Sequence, residues 1–147
     1  MKTKYLPLQA EFYRTEKEWS NIYRRYAAKI GVPESRFQIL YSIYVEDGNV
    51  TQSDVCDMWG VPLQTINSSL KLMEREGIVE LIGDDGNRRK KHLRLTPEGE
   101  KLAEELIEPI ISAENVSFAS LTKEEQTTLL ELTNRQLAVM REIIEKP

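Results

Sequence analysis

The chain has 147 residues, 24 acidic and 20 basic, with a formal net charge of -4 and a hydrophobic content of 40%. These values suit one globular domain of ordinary size and argue against a disordered chain. No apolar run reaches the length of a membrane span and no signal peptide is evident, so we predict a cytoplasmic protein without membrane contact. One cysteine and one histidine exclude a disulfide framework and a cysteine- or histidine-based metal site. We therefore predict no metal and no cofactor.

Apolar spacing predicts two helices in the first third of the chain. The first runs from about Leu8 to Ile30 and ends at Gly31, because glycine readily takes the left-handed conformation that follows a helix. The second spans roughly residues 33–45, with Pro33 in its first turn, and a turn follows it.

A short helix and then an amphipathic helix are predicted next. Thr51 and Asp54 resemble a capping box that opens a helix of about residues 52–58. The following helix starts around Pro62 and stops before Gly77. Its apolar face comprises Leu63, Ile66, Leu70 and Met73, and its polar face comprises Gln64, Thr65, Asn67, Ser68, Lys71 and Arg75.

Two β-type stretches, residues 78–82 and 92–95, flank a glycine-containing loop and predict a hairpin. Residues 61–96 hold seven basic and five acidic side chains, net +2, whereas residues 97–147 hold five basic and eleven acidic, net -6. The negative total therefore conceals a basic cluster at the hairpin. This cluster comprises Arg88, Arg89, Lys90, Lys91 and Arg94.

The C-terminal third is predicted to be helical. Thr96 suits the N-cap of a helix that reaches about Ala119, with a kink or break at Pro109. Thr122 and Glu125 form a capping box before a last helix that carries an apolar stripe. The predicted fold is mainly α with a small β-hairpin wing, a winged helix-turn-helix of six helices.

The middle of the chain has the residue types that reading duplex DNA requires. A helix that enters the major groove needs one buried face and, opposite it, short polar side chains that pair with base edges. Gln64 and Asn67 suit adenine edges, and Lys71 and Arg75 suit the phosphate backbone. The start of the preceding helix, at Gln52 and Ser53, can hold a phosphate through free amides. Taken singly, each feature has a simpler interpretation as a solvated surface; their succession favours DNA binding.

At this point the sequence resembles the MarR family of winged-helix transcriptional regulators over nearly the whole chain. Residues 51–80 match the family's paired helices, and residues 84–100 match its wing followed by the Leu-Thr-x-x-Gly signature at Leu95, Thr96 and Gly99. The resemblance implies a homodimer, a pseudo-palindromic DNA site and repression by occlusion of promoter DNA. In a single domain of residues 1–147 it places dimerisation helices at residues 1–32 and 97–147, and the DNA-binding region at residues 33–96.

The resemblance also assigns roles along the DNA-binding region. Arg89 matches the wing-tip arginine of the family, but Asn87 replaces the aspartate that commonly precedes that arginine by two positions. Either Arg88 or Arg89 therefore enters the minor groove. The expected DNA contacts are Gln52, Ser53, Gln64, Thr65, Asn67, Ser68, Lys71, Arg75, Arg88, Arg89, Lys90 and Lys91.

Many members of the family lose DNA affinity when a small anionic or phenolic molecule binds near the dimer interface. The candidate effector residues here are Trp19, Tyr23, Tyr26 and Tyr41, for which ordinary core and dimer packing is the simpler interpretation. Some relatives sense oxidants through a cysteine in the first helix, where this chain has none. Cys56 is expected to be a small buried thiol, with oxidation that disturbs the reading helix as the alternative.

Other functional classes find little support. The sequence lacks a P-loop, a dinucleotide-binding turn and a nucleophile–base motif, so we predict that the chain is not an enzyme. The alternative function is a winged helix used for protein–protein contact without specific DNA binding, although such a wing does not require a cluster of cations.

Overall fold

The computed structural model describes residues 4–84 and 87–146, including their side chains except at positions 84 and 87–89. Over these residues it has seven helices and three strands, which confirms the predicted winged helix-turn-helix. The order is α1 (Pro7–Lys29), α2 (Glu34–Val45), β1 (Val50–Thr51), α3 (Gln52–Trp59), α4 (Leu63–Arg75), β2 (Val79–Asp84), β3 (Asn87–Leu95), α5 (Pro97–Leu106), α6 (Glu108–Ala119) and α7 (Lys123–Ile144).

The chain divides into two compact units, the first ending at Ile107 and the second beginning at Glu108. This boundary coincides with the break that Pro109 predicts, because proline lacks the amide that would continue a helix. One predicted helix is thus two, α5 and α6, and the helix count rises from six to seven. None of the described helices is long and apolar enough to cross a membrane.

The core of the first unit is built around α2. Phe37, Ile39, Leu40 and Ile43 are at most 2% exposed, so this helix is buried on several sides. Each such side chain contributes about 1.5–3 kcal/mol to folding by leaving water. The apolar face of α4 and the strands complete the core with Ile66, Leu70, Met73, Val79, Leu93 and Leu95.

The prediction that Leu63 belongs to the buried apolar face of α4 is wrong. It keeps the spacing of the apolar face but is 60% exposed. Leu63 is the first residue of the helix, one turn before Ile66, and therefore lies beyond the edge of the core. Pro33 and Pro62 differ from expectation by one residue, because both are N-caps with extended ψ angles rather than residues of the first helical turn.

The hairpin belongs to a three-stranded antiparallel sheet of order β1-β3-β2. The short strand β1 was not expected; it pairs Val50 with Leu93 and Thr51 with His92. Strand β3 begins at Asn87, so the basic run lies along a strand rather than in a loop. Because Thr51 is also the N-cap of α3, the sheet joins the start of that helix to the wing.

Residues of the Leu-Thr-x-x-Gly signature connect the base of the wing to the chain between α4 and β2 through hydrogen bonds. The Thr96 hydroxyl donates to the Gly77 carbonyl at 2.5 Å and accepts from the Gly99 amide at 3.1 Å, and the Thr96 amide donates to the Ile78 carbonyl at 3.1 Å. A Cβ atom at position 99 would lie 2.1 Å from the Ile78 carbonyl oxygen. Only glycine allows α5 to approach the connection between α4 and β2 this closely.

Within the second unit, α7 begins at the predicted capping box. Thr122 accepts from the Glu125 amide at 3.2 Å, and the Glu125 carboxylate accepts from the Thr122 amide at 2.8 Å. The apolar stripe along this helix is 45–67% exposed in the single chain. Its members are Leu129, Leu132, Leu137, Met140 and Ile144.

Candidate nucleic-acid interface

Helix α4 presents a narrow polar face to solvent. At about 100° of rotation per residue, the positions of Gln64, Asn67 and Ser68 fall with those of Lys71 and Arg75 inside an arc of about 100°. Apart from half-buried Asn67, these side chains are exposed, whereas Ile66, Leu70 and Met73 on the opposite side are at most 3% exposed. Thr65 is exposed as well but lies outside this arc. The helix thus has the shape that a major groove about 12 Å wide accepts.

Two of these polar side chains are held by the main chain of their own helix. The Ser68 hydroxyl donates to the Gln64 carbonyl at 3.0 Å, and the Arg75 Nε donates to the Lys71 carbonyl at 3.4 Å. Ser68 can then only accept a further hydrogen bond, whereas Arg75 keeps the ends of its guanidinium for a phosphate.

The start of α3 combines a completed cap with open amides. Thr51 accepts from the Asp54 amide at 3.2 Å, and the Asp54 carboxylate accepts from the Thr51 amide at 2.8 Å and the Thr51 hydroxyl at 2.7 Å. These hydrogen bonds hold the pKa of Asp54 below its ordinary value, and the charges of Lys90 and His92 lower it further. Gln52 and Ser53 occupy the first two positions of the helix, where the amides have no intrahelical acceptor.

Wing lysines lie beside these amides. An open cavity of about 570 Å³ is lined by Gln52 and Ser53 on the α3 side and by Lys90 and Lys91 on the β3 side. All four were predicted from the sequence to contact DNA, and the fold brings them together although 36 residues lie between the two pairs. Two cations and a helix N-terminus at one concave surface suit a phosphate group. The ionised Asp54 carboxylate lies at the same surface and reduces its positive charge.

The two wing arginines expected in the minor groove, Arg88 and Arg89, belong to strand β3. Their side chains lie outside the described part of the chain, as does that of Asn87. The choice between the two arginines therefore stays a prediction.

Three of the four candidate effector residues pack around the Phe37 ring, and the fourth, Trp19, lies at the surface. Trp19 is 49% exposed, and Tyr26 donates its hydroxyl to the Leu106 carbonyl at 2.7 Å. Partial burial raises the pKa of Tyr26. The Tyr26 ring also packs edge-on against Phe37, at 5.9 Å between centroids. Phe37 in turn lies in a cluster of rings with Tyr23, Tyr41 and a residue that the sequence analysis missed, Trp59.

This aromatic cluster, Tyr23, Phe37, Tyr41 and Trp59, joins α1, α2 and the end of α3. The Trp59 ring lies edge-on to Tyr41 at 5.3 Å and to Tyr23 at 5.6 Å between centroids. Such pairs contribute about 0.5–1.5 kcal/mol beyond their buried area. Val55, Met58 and Trp59 keep an apolar helical spacing along α3, which is the sequence signal that could have found Trp59. Its ring partners on α1 and α2 are revealed by the folded chain.

Cys56 lies half-buried in α3. Burial, and then the neighbouring Asp57 carboxylate, raise the pKa of its thiol. A raised pKa keeps the thiol protonated at neutral pH and reduces its reactivity toward oxidants. The surroundings thus favour the packing role over the oxidant-sensing alternative.

Comparison with known proteins shows what this arrangement is similar to. Residues 30–90, which span α2 to the wing, match the MarR family model. No curated protein matches the chain. NMB1585, a MarR family regulator from Neisseria meningitidis, is 22% identical and superposes with a TM-score of 0.77 over 95% of this chain and 98% of its own.

Two solved structures of MepR from S. aureus extend the comparison. The DNA-binding conformation is 18% identical, with a TM-score of 0.71 over 89% of this chain and 97% of its own. The MepR–DNA complex is also 18% identical, with a TM-score of 0.63 over 92% and 99%. At these identities the likenesses establish a shared fold. Residues 30–90 of this chain are thus similar to the MarR family, and nearly the whole chain shares its fold with solved MarR family regulators.

Proposed function

We propose that the protein is a homodimeric repressor that binds a pseudo-palindromic site in promoter DNA. Helix α4 enters the major groove, the wing reaches the adjacent minor groove, and the start of α3 holds a phosphate between them. The observation that carries this proposal is the juxtaposition of Gln52 and Ser53 with Lys90 and Lys91, in a chain whose helix α4 has a largely exposed polar face.

The charge distribution supports this orientation on DNA. Residues 97–147 carry a net charge of -6 and residues 61–96 a net charge of +2. Acidic helices are repelled by phosphates, so the wing and α4 are the face that approaches the duplex. The fold likeness to MepR, which has been solved in complex with DNA, agrees with this assignment.

Exposed apolar surface supports the homodimer. The stripe on α7 is 45–67% exposed, and Phe12, Trp19 and Ile22 on α1 are 37–49% exposed. Monomeric proteins rarely expose contiguous apolar patches of this kind, and a second copy of the same chain covers both stripes symmetrically. Two copies then place two reading helices about one helical turn of DNA apart.

Selection of bound sequences from a random duplex pool at fixed salt tests the proposal. We expect a two-fold symmetric site, bound by a particle of twice the chain mass in analytical ultracentrifugation. An unselective, weak interaction without salt dependence would contradict DNA reading and favour a protein-contact role for the wing.

Two variants with matched controls test the site residues. Asn67→Ala should relax base preference and cost about 1–3 kcal/mol if the side chain pairs with a base edge, while Asn115→Ala on exposed α6 should not. Lys91→Ala should weaken binding to all DNA sequences and reduce by about one the slope of the logarithm of the binding constant against the logarithm of the salt concentration. Lys101→Ala on α5 should leave both the affinity and this slope unchanged. Arg89→Ala should weaken binding through lost minor-groove contact.

We further propose that a small phenolic or anionic molecule modulates DNA affinity through the aromatic residues of α1 and α2. The exposed Trp19 and the cluster that holds Tyr23 and Tyr41 supply the apolar surface for such a ligand. A ligand acts in this way only when its affinity differs between the DNA-binding and the non-binding conformation. Titration of phenols and aromatic carboxylates into the protein–operator complex measures that difference.

A further inference from the structure

Helix α4, which the structure describes throughout, exposes two leucine side chains to solvent. Leu63, its first residue, is 60% exposed, and Leu72, in its last turn, is 48% exposed. Single exposed apolar side chains are common on protein surfaces, so exposure alone assigns a role to neither of them. Their positions relative to the polar face of the helix distinguish the two.

Leu63 borders the polar face at the N-terminal end of the helix. At about 100° of rotation per residue, it lies about 40° from Asn67, which marks one edge of that face. Residues at this spacing are neighbours, with about 5–6 Å between their Cβ atoms. Because Cα–Cβ bonds tilt toward the N-terminus of a helix, the Leu63 side chain points toward the start of α4. An apolar group therefore adjoins a residue that suits an adenine edge.

Leu72 has the same angular position at the opposite edge but a different height. It lies about 40° beyond Ser68, which marks the other edge of the polar face. It also lies nine residues after Leu63, which is about 13.5 Å along the helix axis. The N-terminal residues of a reading helix are the ones that contact base edges, so Leu72 is a matched control for Leu63.

The main chain at Leu63 is held by the chain that precedes it. The Val61 amide donates to the Cys56 carbonyl at 3.1 Å, and the side-chain amide of Gln52 donates to the Leu63 carbonyl at 3.4 Å. Gln52 also lines the concave surface where the start of α3 meets the wing lysines. A phosphate held at that surface would therefore fix the position of Leu63 relative to the duplex without a prior ordering of the chain.

The major groove offers one apolar group to such a side chain. Among the four bases, only thymine carries a methyl group on its major-groove edge. In an A·T pair this methyl group lies on the same edge as the adenine atoms that asparagine or glutamine contacts. A leucine suits the methyl group because the contact removes apolar surface on both sides from water.

We propose that Leu63 contacts the methyl group of a thymine in each half-site, beside the base pair that Asn67 contacts. The inference rests on the proposed function, since it requires α4 to enter the major groove. It adds an apolar preference for thymine that the polar side chains of α4 do not supply. Leu63 is then a specificity-determining residue of the reading helix.

Replacement of the operator thymines by deoxyuridine, one position of each half-site at a time, tests this contact. Deoxyuridine pairs with adenine as thymidine does and lacks only the methyl group, so the hydrogen bonds are kept. We expect a position at which the parent protein binds about fourfold more weakly per half-site, the value for one buried methyl group. Leu63→Ala should bind the thymine and deoxyuridine forms of that operator equally, whereas Leu72→Ala should distinguish them like the parent.

Two results would overturn the assignment of Leu63. One is a parent protein that binds every deoxyuridine operator as tightly as the thymine operator. The other is a methyl effect that persists in Leu63→Ala, because it would then come from another residue or from the stiffness of the DNA. Since Leu63 is exposed, Leu63→Ala should unfold at the same urea concentration as the parent.

The same measurements separate this inference from the proposed function. A parent protein that selects a two-fold symmetric site but shows no methyl effect would overturn the role of Leu63 alone. A parent protein that selects no sequence from the random duplex pool would overturn the proposed function and the role of Leu63 with it.

Discussion

Replacement of Gly99 by alanine tests how the wing is fastened to the rest of the first unit. A Cβ atom at this position would lie 2.1 Å from the Ile78 carbonyl oxygen, 3.1 Å from its carbon and 3.3 Å from the Leu95 Cβ. The oxygen cannot retreat freely, because it accepts from the Thr96 amide at 3.1 Å. Overpacking typically costs about 1–3 kcal/mol and more when the obstacle is main chain.

We therefore expect Gly99→Ala to lower the free energy of unfolding by about 3 kcal/mol. This net loss already includes the gain of about 0.5–1 kcal/mol that alanine brings to a helix in place of glycine. For a chain of this size that lowers Tm by roughly 6–12 °C. Urea denaturation at fixed protein concentration gives the free energy of unfolding directly. Gly83→Ala is the matched control, because a Cβ there meets no atom within 4 Å. A Gly99→Ala protein within about 0.5 kcal/mol of the parent would refute the packing argument.

Three further outcomes are expected. Asp54→Ala should destabilise the protein by about 1 kcal/mol at neutral pH through loss of the α3 cap. Because the folded-state pKa of Asp54 lies below its ordinary value of 3.8, this difference should shrink as the pH falls through that value and below, and a constant difference in urea denaturation would contradict the capping role. Thr96→Val should lower the free energy of unfolding by about 1 kcal/mol in the same assay, since all three contacts of the hydroxyl are lost. Unchanged stability would contradict the role of Thr96 in holding the base of the wing. Cys56→Ser should leave the response of DNA binding to peroxide unchanged. If peroxide abolishes DNA binding by the parent protein but not by the serine variant, the oxidant-sensing alternative is supported.

Helix boundaries followed from the sequence because their causes are local. Thr51, Thr96 and Thr122 each cap the helix that begins at the next residue, and each does so through an amide three positions along the chain. Gly31 has a φ of +69°, as expected for a residue that ends a helix. Interactions between residues this close in sequence need no tertiary information, so the order of elements was predicted almost completely.

The missed features all depend on contacts between distant residues. Strand β1 has two residues and no periodicity, and it exists only because β3 offers an open edge beside Val50. Trp59 finds its partners on two other helices, and the burial of Gln38 depends on the same packing. Leu63 fits an apolar stripe that continues past the edge of the core. Spacing along one helix does not contain this information.

Main-chain hydrogen bonds join the three elements that we propose contact DNA, which are the start of α3, the wing and α4. Pairing of Thr51 with His92 joins the start of α3 to the wing, and the bond from the Thr96 amide to the Ile78 carbonyl joins the wing to the chain that leaves α4. The Ile78 amide in turn donates to the Met73 carbonyl at 2.9 Å, within the last turns of the reading helix.

Deforming α4 relative to the wing would break several of these bonds at once, each worth about 1 kcal/mol net. Rotation of the whole winged helix breaks none of them. We therefore expect a regulatory ligand to change the distance between the two winged helices of a dimer rather than the shape of either winged helix. Distance measurements between spin labels at Ser69 on α4 of the two protomers, with and without ligand, test this directly. A change in the distance between α4 and the wing within one protomer would contradict it.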